Sequence, residues 1–564
     1  MIQDEPRDAP VANPVNDLAE RFWESLLELH PTTATMYGDP RWADRLDDPG
    51  PAGRAARRAL AERTLAEARA IDEADLGVED RITRDMLLVL AEQWIAEDDL
   101  GIHRLRSVDQ ISGPQTLLPQ LALLQPADTP DALDAFLARL HAYGAVVDAH
   151  LEILREGLAA GVVAPRIAVE RTIEQLDRLL SMPIEDAAIA SAAQVADDGA
   201  RERVREAVRD AVYPADRAFL EALRGEYLAA SRTDPGLWAV PGGEALYRQA
   251  IRSWTTLDLD PEKVHGVGLE ELASIDVERR QIARRAGFPS PEAYRAAKAT
   301  DPANVPDSRK ALVERATEDT ARALAAARPV FGRLPRARCE VRPVEEFKER
   351  DAPFAYYVPP TIDGSRPGIY YVNAYDLPSR TFGRLAATTY HEAIPGHHFQ
   401  IALEMEHPSL NSFRRLGGRV VGGAYVEGWG LYAERLADEL GLYRDDVERL
   451  GMLDAQAWRA ARLVVDTGLH ALRWDRDRAI RFMLDAGLSE TDAVIETDRY
   501  IVWPGQALTY MTGMREIRAL RHEIAQRDGA RFDLRAFHDA VLGHGSLPLA
   551  TLRRELPRWV TPAS

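Results

Sequence analysis

Apolar residues recur with the spacing of an amphipathic helix along most of this chain. In the stretch LAERFWESLLELHP, the apolar positions that share one helix face are Leu18, Phe22, Leu26 and Leu29. A similar pattern covers residues 129–161, where Thr129 followed by Pro130 has the residue types of a helix start. This segment predicts either two helices or one long bent helix.

Two further stretches carry the helical pattern. Residues 196–228 predict a charged, amphipathic helix that is interrupted near Pro214, and residues 308–334 predict a helix that ends at Pro329. No fixed repeat period links these segments, so a solenoid is not expected. The N-terminal half of the chain is therefore predicted to be helical.

The pattern changes between about residues 337 and 374. Short stretches rich in β-branched and aromatic residues appear there, namely ARCEVRPV, APFAYYVPP and GIYYVNA, and the turn-rich PPTIDGSRPG separates the last two. Such stretches predict a small antiparallel sheet or hairpin. The helical pattern resumes at Thr381.

The expected architecture is therefore mainly α. It has a helical N-terminal half over residues 1–336 and a second half over residues 337–564. The second half would hold the small sheet at 337–374 and helices over 381–564. We expect the two halves to form one continuous unit.

Composition narrows the class of protein. The chain has 564 residues, 46% hydrophobic and 28% charged, as for a globular protein with several subdomains. Its net charge of −20 disfavours a nucleic-acid partner, which requires a basic surface. An acidic, well-solvated surface is the simpler interpretation.

The cysteine count and the lengths of the apolar runs help to predict the cellular compartment of the protein. With a single cysteine, Cys339, no intrachain disulfide can form and a cysteine-rich zinc module is excluded. The start of the chain shows neither a basic nor an apolar signal region, and no apolar run is long enough to span a bilayer. We therefore expect a cytoplasmic protein without a membrane partner, whose oligomeric state the sequence does not indicate.

The first candidate metal ligands lie in the stretch TTYHEAIPGHHFQIALEM. The zinc-protease pattern H-E-x-x-H places both histidines on one helix face, but here His391 and Glu392 are followed by Pro395 at the second histidine position. His397 comes six residues after His391, which puts it on the opposite face of a regular helix. A break at the proline and the glycine after it could return His397 to the side of His391.

His398 is a weaker candidate for the second ligand. It shares a regular helix face with His391 but would lie about 10.5 Å further along the axis. That is too far for one ion with Zn–N bonds of about 2.0–2.1 Å. The alternative to a metal site is a polar helix end with capping histidines.

A catalytic zinc site needs a third protein ligand, and AYVEGWGLYAERL offers two carboxylates. A glutamate buried among the aromatic residues of this stretch would be costly without a cation or an ion-pair partner. We assign Glu427 as the third ligand and Glu434 to a supporting or structural role. Alternatively, both glutamates lie on a helix surface.

Two later stretches could contribute a hydrogen-bond donor to the reaction. In RLVVDTGLHALRW, Asp466 and His470 are four residues apart, which allows a carboxylate–imidazole contact that orients His470 or simply forms an ion pair. In LSETDAVIETDRYIVWPGQALTYMTG, Arg499 or Tyr510 could stabilise an oxyanion. The alternative is that Arg499 pairs with Glu496 and the tyrosine only packs.

The ordered motifs HEAIPGHHFQ, YVEGWGLYAE, DTGLHALRW and RYIVWPGQALTY resemble the DUF885 family of bacterial proteins. Earlier stretches fit the same family, namely LHPTTATMYGDPRWADRLDD, PGGEALYRQAIRSWTTLDLDPEKVHGVGLEEL and DGSRPGIYYVNAYDLP, and so does the tail LGHGSLPLATLRREL. The resemblance covers nearly the whole chain. The family is in turn similar to gluzincin metallopeptidases of the angiotensin-converting-enzyme, oligopeptidase and carboxypeptidase-Taq kind.

The resemblance implies a large helical fold with a deep substrate groove and a zinc ion held by two histidines and a glutamate. On this chain those ligands are His391, His397 and Glu427, and Glu392 takes the position of the general base. The spacing that departs from H-E-x-x-H is shared by the family, so it does not indicate an inactive enzyme.

We therefore expect a zinc-dependent hydrolase, namely a metallopeptidase of short peptides. Glu392 would accept the proton of water, and Tyr510 or His470 would stabilise the oxyanion. An exposed edge of the strand GIYYVNA could pair with an extended peptide. The alternatives are a metallohydrolase of a non-peptide amide in small-molecule metabolism and a catalytically silent helical binding protein.

Overall fold

The structure, a computed structural model, describes residues 13–187, 189, 197–345, 349, 353–361, 364 and 366–560. Residues 1–12, on which the interpretation of the chain start partly rests, lie outside the described residues. So does part of the turn-rich stretch 359–368.

Helices dominate the described part of the chain, so the mainly α prediction is confirmed. The helices before the sheet are α1 (Pro14–Leu29), α2 (Pro31–Met36), α3 (Pro51–Ala70), α4 (Val78–Asp99), α5 (Pro114–Leu124), α6 (Pro130–Ala160), α7 (Arg166–Ser181), α8 (Asp198–Ala207), α9 (Tyr213–Ala222), α10 (Leu228–Ala230), α11 (Gly243–Thr255), α12 (Pro261–Arg285), α13 (Pro291–Ala299) and α14 (Arg309–Ala327). The helices after it are α15 (Phe382–Glu392), α16 (His397–Met405), α17 (Gly418–Val421), α18 (Gly423–Glu439), α19 (Asp446–His470), α20 (Arg476–Asp485), α21 (Glu490–Val502), α22 (Thr509–Asp528), α23 (Leu534–Leu542) and α24 (Leu549–Trp559).

Two of the predicted helices show how local sequence sets their form. Residues 130–160 form the single helix α6, and the Thr129 side chain caps it by accepting the Ala132 N–H at 3.2 Å. Between α8 and α9 the helix widens into a π-helical turn, Val208–Val212, shortly before Pro214. A proline has no N–H for the regular helical hydrogen bond, which explains an irregularity at this position.

The predicted small sheet is present, but its strand directions differ in part from the prediction. Its strands are β1 (Cys339–Pro343), β2 (Ala355–Val358) and β3 (Gly368–Val372). The strand order is β1-β3-β2, with β2 antiparallel to β3 and β1 parallel to β3. The expectation of a fully antiparallel sheet was therefore wrong, because β1 pairs with β3 rather than with its neighbour in sequence.

This strand order also corrects the expected peptide-binding edge. The strand GIYYVNA corresponds to β3, which is hydrogen-bonded on both sides, by β1 and by β2. A strand with both edges paired has no free backbone groups for an added strand. The prediction that this strand pairs with an extended peptide was therefore wrong.

The buried apolar residues form one large core that draws on both predicted halves. It runs from Leu18 near the start of the described chain to Val560 at its end. The fully buried residues of a second core lie within residues 108–227, and a smaller core joins α19 to α20 and α21. The division at residue 336 stays a prediction. Among the described residues, no helix is both long and apolar enough to cross a membrane.

Candidate metal centre

The helix carrying His391 ends where the proline and glycine predicted a break. Helix α15 stops at Glu392, the Ile394–Pro395 peptide bond is cis, and α16 begins at His397. A Cβ on Gly396 would lie 1.8 Å from the His391 carbonyl oxygen, so only glycine fits this turn. The break brings the rings of His391 and His397 to 4.7 Å between centroids.

Glu427 on α18 completes a compact set of candidate ligands. Its Oε2 atom lies 3.5 Å from His391 Nε2 and 3.7 Å from His397 Nε2. One ligand atom from each of these residues lies within 4.8 Å of the others. Ligands in a tetrahedral zinc site, with bonds of about 2.0–2.2 Å, are about 3.3–3.6 Å apart. The three residues therefore fit a single metal ion with two imidazoles and one carboxylate.

A second carboxylate orients His391. Glu434 Oε1 lies 2.9 Å from His391 Nδ1, and the Glu434 side chain is almost fully buried. With Nδ1–H donating to Glu434, Nε2 of His391 faces Glu427 and the candidate ion position, where loss of its proton would free a lone pair for the ion. Burial favours a neutral His391, but hydrogen bonds to Glu427 and Glu434 outweigh it and raise the pKa of His391 to about 9 in the absence of a metal.

His398 serves a different purpose. Its Nδ1 accepts from the Tyr357 hydroxyl at 2.9 Å, and its Nε2–H donates to the Ala337 carbonyl at 3.1 Å. Burial lowers the pKa of His398 to about 4, so the ring is neutral. His398 thus attaches α16 to the sheet, while His397 faces Glu427.

Glu392, the expected general base, lies beside these ligands. Its side chain is half-buried. Burial is the main effect that raises the pKa of Glu392, Glu427 adds to it, and the two histidines oppose it. Glu392 directly follows His391 in the chain, as the last residue of α15.

Tyr510 also reaches the site, through close contact between α18 and α22. A Cβ on Gly428 would lie 2.4 Å from the Gly513 backbone, and a Cβ on Gly513 would lie 1.8 Å from the Ala424 carbonyl oxygen. These glycines bring Tyr510, one turn before Gly513, next to the helix that carries Glu427. The Tyr510 ring stacks on His391 with 6.4 Å between centroids.

The predicted Asp466–His470 contact does not form. Asp466 instead accepts the Tyr247 hydroxyl at 2.6 Å and the Gly505 N–H at 3.1 Å. His470 Nδ1 accepts the Leu237 N–H at 3.2 Å, and its Nε2–H donates to the Tyr500 carbonyl at 2.9 Å.

His470 therefore has no free N–H to offer a substrate. Burial lowers its pKa to about 3, which keeps the ring neutral. The expectation that His470 stabilises an oxyanion was wrong, because both of its nitrogens hold backbone groups.

Arg499 forms the ion pair that the sequence left as the alternative. Its Nη2 donates to Glu496 Oε2 at 2.6 Å, and its Nη1 donates to Gln506 Oε1 at 2.7 Å. These contacts favour a structural role for Arg499 over the predicted role at the oxyanion.

Sequence reasoning missed two arginines beside Tyr510. The guanidinium carbon of Arg462 lies 4.4 Å from the Tyr510 ring centre and that of Arg459 lies 5.8 Å from it. Arg462 stands in the otherwise apolar run AARLVV of α19. A charged residue inside such a run is the sequence signal that could have identified it.

Two solved structures show the same fold. A protein from Colwellia psychrerythraea superposes with a TM-score of 0.90 at 30% identity and covers 97% of this chain and 98% of its own. A protein from Shewanella oneidensis superposes with a TM-score of 0.73 at 20% identity and covers 96% and 99%. Both are described as a "putative lipoprotein", the second as one of unknown function.

No curated protein matches this chain. The sequence profile of the family described as "Bacterial protein of unknown function (DUF885)" matches residues 31–556, which is nearly the full length. The chain therefore belongs to the DUF885 family.

Proposed function

We propose that this protein is a zinc-dependent hydrolase, namely a metallopeptidase that cleaves short peptides. The observation that supports this most directly is the set of ligand atoms from His391, His397 and Glu427 within 4.8 Å of one another. Two histidines and one glutamate, with a fourth position left for water, are a ligand set of catalytic zinc sites. Glu392 and Tyr510 add a carboxylate and a phenol beside it.

In the proposed reaction each residue has a separate task. Bound zinc would lower the pKa of water and polarise the carbonyl group of the substrate. Glu392 accepts the proton of the attacking water and passes it to the departing amine. Tyr510 donates a hydrogen bond to the carbonyl oxygen as it gains negative charge. Glu434 holds the His391 ring in its orientation.

A digest of a defined peptide library tests this proposal. Zinc-loaded protein should cleave peptides of a few residues, and the Glu392→Gln variant should retain the fold and the zinc but lose most hydrolysis, because an amide cannot accept the proton. Near-normal turnover by that variant would remove Glu392 from the mechanism. Cleavage of small non-peptide amides alone would support the alternative metallohydrolase, and absence of both metal and hydrolysis would favour a silent binding protein.

A cytoplasmic location remains a prediction as well. It contrasts with the description of both solved relatives as putative lipoproteins. Fractionation of native cells would test it: recovery with the cytosol would agree with the prediction, and recovery with a membrane fraction would contradict it.

A further inference from the structure

Two arginines next to the candidate metal centre have guanidinium nitrogens without partners. Arg462 is 4% exposed; its Nε donates to the Tyr500 hydroxyl at 3.0 Å and its Nη2 to Glu496 Oε2 at 3.2 Å. Its Nη1 is buried and has no hydrogen-bond partner among the described residues. Buried donors of this kind are rare in proteins, because an unpaired buried donor costs free energy.

Arg459, one turn earlier on α19, is less well paired. Its Nη1 donates only to the Ala455 carbonyl of its own helix, at 3.3 Å. Its Nε is buried and has no partner, and no carboxylate of the described residues forms an ion pair with it. The guanidinium group instead stacks on aromatic rings, 4.8 Å from the Trp458 centre and 5.8 Å from the Tyr510 centre.

A third arginine approaches the same region from the metal-binding helix. Arg384 lies two turns before His391 on α15, on the same helix face and about 10.5 Å away along the axis. Its nearest carboxylate oxygen, Asp492 Oδ2, is 3.8 Å away. Burial lowers the pKa of Arg384; Asp492 opposes that effect and the positive charge of Arg459 adds to it, so the two arginines interact.

Two incompletely paired guanidinium groups from neighbouring helices would suit an anionic ligand. A guanidinium group forms two parallel hydrogen bonds with a carboxylate, which matches its geometry. The Arg384–His391 offset of about 10.5 Å corresponds to about three residues of an extended peptide at 3.3–3.6 Å each. A peptide lying in the site could therefore reach the arginines and the candidate ion together.

We propose that Arg459 and Arg384 form a subsite for a substrate carboxylate within about three residues of the cleaved bond, supported by the free Nη1 of Arg462. This inference rests on the proposed peptidase function and names the substrate class: peptides with a carboxylate near the scissile bond. The C-terminal carboxylate and an acidic side chain have the same chemistry, and peptides that carry only one of the two distinguish them.

The test measures binding in the zinc-loaded Glu392→Gln variant, in which hydrolysis is suppressed. Isothermal titration would compare three probes: acetyl-tetraalanine as the free acid, its C-terminal amide, and an amide with one alanine replaced by glutamate. At least one carboxylate probe should bind about 10- to 100-fold more tightly than the neutral amide, as expected for charge-assisted hydrogen bonds. Tighter binding of the free acid identifies the C-terminus, and tighter binding of the glutamate probe identifies a side chain.

Adding Arg459→Gln should bring the ratio of carboxylate to neutral affinity close to one. Arg481→Gln on α20 is the matched control: Arg481 is exposed, so the ratio should stay unchanged. If Arg459→Gln does not fold, Arg384→Gln and Arg459→Lys provide the same test, since the first removes a charge and the second keeps the charge but not the two-pronged geometry.

Equal binding of all three probes would contradict the proposed subsite. So would a ratio of carboxylate to neutral affinity that Arg459→Gln leaves unchanged. The outcome for the proposed function is separate. Cleavage of neutral amides without any preference for a carboxylate would keep the peptidase and remove the subsite. If the binding preference for a carboxylate is preserved but the unaltered protein hydrolyses no peptide, the subsite is kept and the peptidase function is removed.

Discussion

His397, rather than its neighbour His398, is expected to hold the metal. Its Nε2 lies 3.7 Å from Glu427 Oε2, whereas both nitrogens of His398 are engaged by Tyr357 and Ala337. His397→Ala should therefore lose most bound zinc, and His398→Ala should retain most of it. Elemental analysis of the purified variants measures both, against about one zinc per chain in the unaltered protein. The reverse pattern would show that His398 is the ligand.

The Tyr510 hydroxyl is expected to act on the reaction rather than on the fold. No hydrogen bond within the described residues uses it, while the ring stacks on His391 and under Arg462. Tyr510→Phe keeps these ring contacts and removes only the donor. The kcat for a good peptide should fall about 10²- to 10³-fold.

Zinc content and thermal stability are the controls for that variant, and both should stay close to those of the unaltered protein. Hydrolysis at the parental rate would mean that Tyr510 only packs. His470 could not take over the role, because both of its nitrogens are bound by backbone groups.

The sequence located the two candidate histidine ligands because the turn that brings them together is set locally. Only a break at Pro395 and Gly396 is needed to turn His397 toward His391, and these two residue types predict such a break. The role predicted for His470 was wrong for the opposite reason. Its partners, Leu237 and Tyr500, come from other parts of the chain, and the spacing to Asp466 carries no information about them.

At the scale of elements, the contact between α18 and α22 sets the position of Tyr510 relative to Glu427. A Cβ on Gly513 would lie 1.8 Å from the Ala424 carbonyl oxygen, so Gly513→Ala must push the two helices apart. We expect it to destabilise the protein by about 1–3 kcal/mol, as overpacking does, and to lower kcat. Thermal unfolding and peptide hydrolysis measure the two effects.

Gly423→Ala is the matched control for that experiment. It also lies on α18, but a Cβ there would meet no atom within 4 Å. Stability and kcat should change little. Equal effects of the two substitutions would show that the close helix contact does not position the tyrosine.

Helices were easier to predict than the order of the strands. The apolar spacing of α1 and the cap of α6 are local features; α1 forms as expected, and α6 forms as one helix, which is one of the two predicted alternatives. The pairing of β1 with β3 depends on where the connections run, which residue type and alternation do not encode. For that reason the strand expected to offer a free edge is the central strand of the sheet.

At the scale of the whole molecule, the shared core explains why the candidate site depends on both halves of the chain. Residues of α1 to α4, such as Phe22 and Met86, belong to the same core as Tyr390 and Trp429 around the metal centre. Arg435, on the helix that carries Glu427, pairs with Glu278 of the N-terminal half at 3.0 Å. The site is therefore supported by elements distant in sequence.

A fragment of residues 337–564 should consequently not fold by itself. Separation from the N-terminal half would expose the core face that packs on α1, α3, α4 and α12, and the buried apolar area is what stabilises these helices. We expect the fragment to show no cooperative thermal transition and to bind zinc much more weakly than the full chain. Calorimetry and equilibrium dialysis with zinc measure these properties. A cooperative transition together with full-strength zinc binding would instead establish residue 336 as a true domain boundary.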